Sequence, residues 1–185
     1  MTTDLHNHLY AGVLGASWGE VAAPVRSLHK PGAELCGVFR ISRGAGRLAR
    51  ILARWSRLPA AATDAGTRLR IVEDGPCQRW DRSFAGVPMV STQWAGSAGH
   101  LMERIGQWEF CFRLRVMDGA LIYEQQHARF CLGPLRIPLP CGPHVAAVES
   151  PDGPARVRIS VEVHLPMAGK LIAYDGWLDV EVPAL

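Results

Sequence analysis

The clearest pattern in the sequence is a strict alternation of apolar and polar residues close to its C-terminal end. From Arg156 to Leu165 every second residue is Val, Ile or Leu, and the residues between them are Arg, Ser, Glu or His. This period of two predicts a β-strand with one buried face. Residues 167–170 predict a turn, and residues 171–182 continue the alternation as the returning strand.

Similar strand patterns extend upstream from this hairpin. Residues 67–74 and 77–84 predict a first hairpin, and residues 87–94 predict a further strand. Two long amphipathic segments flank Asp118-Gly119, a dipeptide that is the strongest short-range signal for a hairpin turn. Residues 132–143 are rich in Pro and Gly and predict a loop or an irregular sheet edge.

The N-terminal part of the chain follows a different period. Apolar residues recur at helical spacing through residues 8–29, and Pro24 predicts that this region divides into two short helices. Residues 35–42 predict a short strand. Helical spacing then returns in residues 47–58, a segment that Pro59 ends.

Together these elements predict one domain over residues 1–185, with a helical part at about 8–59 and an antiparallel β meander at about 67–183. The expected fold class is α+β, with N-terminal helices packed on a long curved antiparallel sheet or partial β-barrel. A stretch without helices after residue 67 argues against a doubly wound α/β sheet.

Composition narrows the function classes only modestly. The hydrophobic fraction of 48% is typical of a globular domain, and the net charge of +3 is too small to indicate a nucleic-acid partner. No apolar run is long enough for a membrane span, and the N-terminus lacks a signal-peptide pattern, so we expect a cytoplasmic protein. The five cysteines form no C-x-x-C pair and predict neither a zinc site nor a disulfide framework.

The segment 47–58 is basic and amphipathic, and it has three interpretations. Its Leu, Ile and Trp residues suit packing on the sheet, with the arginines in solvent. The same pattern is typical of a helix that contacts an anionic membrane surface, and this contact stays open as a weaker alternative. Nucleic acid is disfavoured, because the Arg-rich strands also carry Glu and Asp.

One polar residue on an apolar strand face suggests a ligand pocket. Arg82 has the parity of Trp80 and Phe84, so it faces the core if they do, and it then needs an anion such as Glu103. The alternative is a purely structural ion pair. In the functional interpretation, few polar groups anchor a ligand in an apolar pocket. The candidate ligand-binding residues are Arg82, Glu103, Tyr123, Tyr174, Trp80 and Trp55.

Motifs for catalysis and cofactors are weak. The residues 43–47, Arg-Gly-Ala-Gly-Arg, precede a helix but match no nucleotide-binding motif, which favours a simple turn. His6-Asn7-His8 with Asp4 resembles a metal site, yet Asp4 or Asn7 also suits a helix cap. We therefore expect no metal and no cofactor. Glu103, His127 and Tyr174 are the candidate general acids or bases.

Several segments, in their order along the chain, resemble the bacterial family catalogued as domain of unknown function 4166. They are LYAGVLGASW, Leu28-His29, GVFRISRG, RLARILA, ERIG, FRLRVMDGALIY and LPMAGKLIAYDGWL. Family members are often fused to a saccharopine-dehydrogenase-like NAD(P)-binding domain. The resemblance implies a stand-alone version here, with an NAD(P)-binding oxidoreductase as its partner. It implies no catalytic residues.

Three functions follow from the sequence. The first is a β-cup that binds an apolar or amphipathic small molecule. The second is a cofactor-free cyclase or isomerase in the same pocket, where shape and one or two polar groups accelerate the reaction. The third is an interaction or membrane-peripheral domain that uses the basic helix 47–58. A densely packed interior without a cavity of about 300 Å³ or more contradicts the first.

Overall fold

A computed structural model describes residues 9–56 and 58–180. The α-helices are short: α1 (Leu9–Leu14), α2 (Ala23–Leu28) and α3 (Arg47–Trp55). Two 3₁₀ segments cover Gly15–Glu20 and Ser97–Gly99. The strands are β1 (Glu34–Arg43), β2 (Ala62–Asp74), β3 (Cys77–Phe84), β4 (Val87–Ala95), β5 (Leu101–Ile105), β6 (Trp108–Met117), β7 (Ala120–Leu132), β8 (Leu135–Pro138), β9 (His144–Pro151), β10 (Arg156–Leu165) and β11 (Gly169–Asp179).

Ten of these strands form a closed antiparallel barrel. Each strand pairs with the next from β1 to β7, β7 then pairs with β9, and β11 returns to pair with β1 from Cys36↔Asp179 to Arg43↔Ile172. Strand β8 lies outside the barrel and pairs with the last part of β7. The antiparallel sheet expected from the sequence is present, and it closes into a complete barrel; the fold is mostly antiparallel β with few helices, so the α+β description holds only in part.

The up-and-down path gives the barrel two different ends. The N-terminal helices lie at one end, which we call the closed end, together with the turns 75–76, 96–100, 118–119 and 152–155. Helix α3 lies at the other end, which we call the mouth end. Its connections are 44–61, 85–86, 106–107, 133–143 and 166–168.

The N-terminal segment fills the closed end as a hydrophobic plug. Tyr10, Val25 and Leu28 are completely buried in the same core as the strands. The Ala22 backbone N–H donates to the Gly119 carbonyl oxygen at 2.9 Å, which attaches the plug to the β6–β7 turn. Gly119 has a φ of +77°, and a Cβ there would approach the Ala22 Cβ to 3.1 Å, so the turn requires glycine.

Helix α3 packs in the opposite way to the main expectation. Leu48, Ile51 and Trp55 are 47%, 64% and 68% exposed, whereas Ala49 and Ala53 are buried. The reason is that the segment just before α3 passes very close to β11. A Cβ at Gly44 would lie 1.8 Å from the Lys170 carbonyl oxygen and 3.0 Å from the Ala49 Cβ. At this separation only small side chains fit beneath the helix.

The other sequence predictions on local structure hold with shifted boundaries. Helix α3 ends at Trp55, and β2 begins at Ala62, upstream of the predicted start at residue 67. The expected irregular edge at residues 132–143 contains the short strand β8. No helix in residues 9–56 and 58–180 is long and apolar enough to cross a membrane.

Candidate ligand site in the barrel

The barrel encloses a cavity of about 490 Å³ that opens at the mouth end. Most of its wall is apolar, and it includes Phe39, Leu69, Phe84, Met89, Ile159 and Val161. At the mouth end, the cavity is lined by Trp55, the last residue of α3, and by three residues of the connections, Leu58, Gly106 and Pro143. The volume lies within the range of about 300–1,000 Å³ that is typical of small-molecule sites.

Arg82 projects into this cavity because alternation along β3 turns Trp80, Arg82 and Phe84 to the inside. Its Nη2 donates to Glu103 Oε1 at 3.2 Å and to Ser91 Oγ at 2.5 Å. The Arg82 and Glu103 side chains are only 12% and 10% exposed. The expected pairing of Arg82 with Glu103 is thus present, on neighbouring parts of the cavity wall.

Tyr174 completes this polar group from β11. Burial disfavours the Arg82 charge, but Tyr174, once ionised at alkaline pH, and the Glu103 carboxylate outweigh burial and raise the pKa of Arg82. Burial also raises the pKa of the Tyr174 hydroxyl, against the opposing effect of Arg82. Arg82 therefore stays a cation and Tyr174 stays a neutral phenol at neutral pH.

A second polar group forms a chain of hydrogen bonds between the closed end of the cavity and the plug. His29 Nε2 lies 2.6 Å from Glu149 Oε2, and the Tyr123 hydroxyl donates to Glu149 Oε1 at 3.0 Å. The Tyr10 hydroxyl lies 3.1 Å from the Tyr123 hydroxyl and donates to Gln93 Oε1 at 2.7 Å. Gln93, Tyr123 and Glu149 line the cavity, so this chain connects the cavity with the buried His29.

The two tyrosines of this chain are held neutral. Burial, followed by the negative charge of Glu149, raises the pKa of both Tyr10 and Tyr123 well above the ordinary value. The rings of Tyr10 and His29 also lie against each other, with centroids 3.7 Å apart and planes tilted by 33°. The plug therefore contributes two polar residues as well as its apolar surface.

Three buried side-chain nitrogen atoms near the cavity have no hydrogen-bond partner among the described residues. They are Trp80 Nε1, Arg82 Nε and His29 Nδ1. Trp80 and Arg82 line the cavity, and both atoms are donors. A buried donor without a partner costs about 1–3 kcal/mol, and protein atoms separate both nitrogens from the open volume of the cavity.

The remaining candidate residues from the sequence lie in different places. Tyr123 and Tyr174 are inside the cavity, and Trp55 lies exposed at its mouth. His127 does not line the cavity and lies exposed on the outer face. The reason is a β-bulge at Gln126: Phe112 pairs with Gln125 but Cys111 pairs with His127, which reverses the parity of β7.

Sequence reasoning missed Glu149, His29, Tyr10 and Gln93. Glu149 carried the same signal as Arg82, since it is a charged residue with the parity of Val145 and Ala147 on β9. His29 and Tyr10 belong to the plug. No local sequence pattern predicts where the plug packs in the barrel.

The candidates for phosphate and metal do not add to the site. Arg43 donates its guanidinium N–H groups to the carbonyl oxygens of Leu58 and Pro59, so it holds the chain that follows α3. In residues 9–56 and 58–180, no three His, Cys, Asp or Glu side chains are grouped to hold a metal. His6, Asn7, His8 and Asp4 lie outside the described residues.

The region that matches a known family covers most of the barrel. A family model with the description Domain of unknown function (DUF4166) matches residues 22–178, from the residue before α2 to the penultimate residue of β11. A search of curated proteins finds no match to the chain. Because the matched region spans most of the 185 residues, the chain belongs to the family described as Domain of unknown function (DUF4166).

Proposed function

We propose that this protein binds an apolar or amphipathic small molecule inside the barrel. The observation that carries the proposal is the apolar cavity of about 490 Å³, with polar groups concentrated in two clusters on its wall. Burial of apolar ligand surface contributes roughly 25 cal/mol for each Å² removed from water. The apolar wall then provides affinity, and the polar clusters fix the orientation of the ligand.

The polar end of the ligand carries a hydrogen-bond acceptor. Arg82 and Tyr174 line the cavity, and each carries hydrogen-bond donor groups. A carboxylate is less suitable than a neutral carbonyl or hydroxyl oxygen, because Arg82 is already paired with Glu103 and Glu149 adds a second acidic side chain. A new negative charge at this depth meets repulsion that water screens poorly.

Native mass spectrometry of the purified protein tests the proposal, because a bound ligand adds a defined mass that denaturation removes. Titration with Nile red, a neutral apolar dye with a carbonyl group, gives a second test for protein without bound ligand. We expect saturable binding with one dye per chain. A protein that carries no ligand and shows no saturable dye binding overturns the proposal.

A cofactor-free isomerase or cyclase in the same cavity is the second candidate, and the His29–Glu149–Tyr123 hydrogen-bond chain favours it. Glu149 is the base in this scheme. Its carboxylate takes a proton from a carbon next to the ligand carbonyl, and the C–H electron pair forms an enolate. Donor groups of Arg82 and Tyr174, which line the cavity, stabilise the enolate oxygen. Return of the proton to a different carbon completes an isomerisation without a co-reactant.

Substitution of the two cavity carboxylates tests this second candidate. Glu149→Gln removes the base but keeps the shape of the side chain, whereas Glu103→Gln removes the partner of Arg82. On an identified substrate, we expect Glu149→Gln to lower kcat by about 100-fold or more with little change in KM. Full turnover by Glu149→Gln eliminates the proton-transfer scheme and leaves the binding function unaffected.

A further inference from the structure

We propose that the mouth end of the barrel docks onto the surface of an anionic membrane. The inference is independent of the cavity ligand, since it rests on the outer surface of α3 and on the neighbouring connections. It commits to a lipid bilayer as the partner.

Exposed apolar side chains concentrate at this end of the molecule. Most of the large apolar side chains that are exposed among the described residues lie there: Leu48, Ile51, Trp55, Leu132, Leu135, Ile137, Leu139 and Met167. At the closed end the corresponding residue is Met117 in the β6–β7 hairpin. Large exposed apolar patches mark surfaces that contact a partner or a membrane.

The connections at the mouth end are basic. Arg47, Arg50 and Arg54 are exposed on α3, whereas Arg136 on β8 is paired with Glu109, and Asp64 and Glu162 lie on the mouth-side parts of β2 and β10. No described residue of the connections 44–61, 85–86, 106–107, 133–143 and 166–168 is Asp or Glu. At the closed end, Glu20, Asp118 and Asp152 occupy comparable positions. Anionic headgroups therefore meet attraction at the exposed arginines of α3, which lie in connections whose described residues include no acidic side chain.

The packing of α3 explains how one helix presents both kinds of side chain. Because Ala49 and Ala53 form its buried side, both Ile51 and the arginines project away from the barrel. A helix at a membrane surface combines basic residues with bulky apolar residues such as Leu and Trp. The exposed Trp55 suits the interfacial region, where the indole places apolar atoms in lipid and its N–H in the polar layer.

Two observations favour a membrane over a nucleic acid or a protein partner. Solvent-exposed Leu, Ile, Trp and Met residues gain little from a phosphate backbone, whose affinity comes from charge. The cavity also opens at this same end, with Trp55 both on its lining and on the exposed surface. Docking of the mouth end places the cavity entrance against the bilayer.

Sedimentation with vesicles of phosphatidylglycerol and phosphatidylcholine tests the inference, with pure phosphatidylcholine vesicles as the neutral comparison. We expect binding to the anionic vesicles that weakens as salt is raised. Arg50→Glu with Arg54→Glu should weaken it by at least about tenfold, since each arginine contributes on the order of 1 kcal/mol. Leu48→Asp with Ile51→Asp should weaken it to a similar degree.

Matched controls lie at or towards the closed end of the same chain. Lys30→Glu with Arg70→Glu makes the same change in net charge at exposed positions there, and Met117→Asp removes an exposed apolar side chain. We expect both controls to bind anionic vesicles like the wild type. Nile red titration without vesicles should give the same affinity for Arg50→Glu with Arg54→Glu as for the wild type.

Several outcomes overturn the inference. They are no vesicle binding by the wild type, equal binding to neutral vesicles, and equal weakening by the closed-end controls. Retained vesicle binding in the Arg50→Glu, Arg54→Glu variant also overturns it. Vesicle binding without dye binding removes the cavity proposal alone, and dye binding without vesicle binding removes the membrane proposal alone.

Discussion

The Glu149 carboxylate accepts a hydrogen bond from the Tyr123 hydroxyl at 3.0 Å, on the wall of a cavity that is otherwise mainly apolar. The second carboxylate oxygen lies 2.6 Å from His29 Nε2, so strand β9 connects to the N-terminal plug through this side chain. One buried acid thereby connects the plug, the barrel wall and the cavity.

Tyr123→Phe should destabilise the protein by about 1–3 kcal/mol. The substitution keeps the ring but removes the hydroxyl, which leaves Glu149 Oε1 buried without that donor and separates it from Tyr10. Urea unfolding, followed by circular dichroism, measures the change. An unaltered unfolding midpoint means that the hydrogen-bond chain contributes nothing to stability.

The three tyrosines should resist ionisation in the native protein. Tyr10, Tyr123 and Tyr174 are the only tyrosines in the sequence, and burial raises the pKa of each. An unfolded tyrosine ionises near pH 10. We expect the absorbance at 295 nm to stay flat through this pH in the native state and to rise in urea.

The same pKa directions determine the stability of the fold at alkaline pH. A folded pKa above the unfolded value means that the tyrosines contribute their full stability below about pH 10. The contribution is lost as pH rises from there through the folded pKa values. Alkaline unfolding should therefore coincide with the absorbance rise, and a normal tyrosine titration in folded protein contradicts the buried placement.

The Arg82–Glu103 pair should show strong coupling in a double-mutant cycle. Arg82→Met leaves the Glu103 charge buried without its partner, which costs about 3–5 kcal/mol. Glu103→Leu should cost a similar amount for the converse reason. The double variant should recover most of the loss, and additive losses contradict a direct buried pair.

The packing of α3 implies effects of substitution on stability that are opposite to those expected from its sequence pattern. Ala49→Leu or Ala53→Leu should destabilise the fold by about 1–3 kcal/mol, because the buried side of α3 has no room for a larger side chain. Ile51→Ala should change stability by less than about 0.5 kcal/mol, since Ile51 is exposed. Thermal unfolding compares the three variants, and a larger loss for Ile51→Ala reverses this assignment.

Local patterns in the sequence were sufficient to predict the hairpins and the inward direction of the Arg82 side chain. Alternation gives the face of a residue within one strand, and Asp118-Gly119 gives the position of a turn. The pattern failed at His127 because a single extra residue, Gln126, changes the parity in the middle of β7. Such a bulge has no signature in this part of the sequence.

Barrel closure and the orientation of α3 depend on contacts between distant parts of the chain. Pairing of β1 with β11 joins the first and last strands, and no local period encodes it. The exposed Leu48 and Ile51 look like a core-facing stripe until the close approach of Gly44 to β11 is known. The site shows the same limit. The parity of Arg82 predicted an acidic partner such as Glu103, whereas the position of His29 depends on how the plug packs in the barrel.

The central claim is that the barrel cavity is a ligand site, and Nile red titration of two matched variants tests it most directly. Val161→Trp places a large side chain in the cavity, and Val148→Trp places the same side chain on the exposed outer face of the neighbouring strand β9. With both variants folded by circular dichroism, the account predicts that Val161→Trp loses dye binding by at least about tenfold and that Val148→Trp binds like the wild type. Equal binding by both variants, or equal loss in both, contradicts a site inside the barrel.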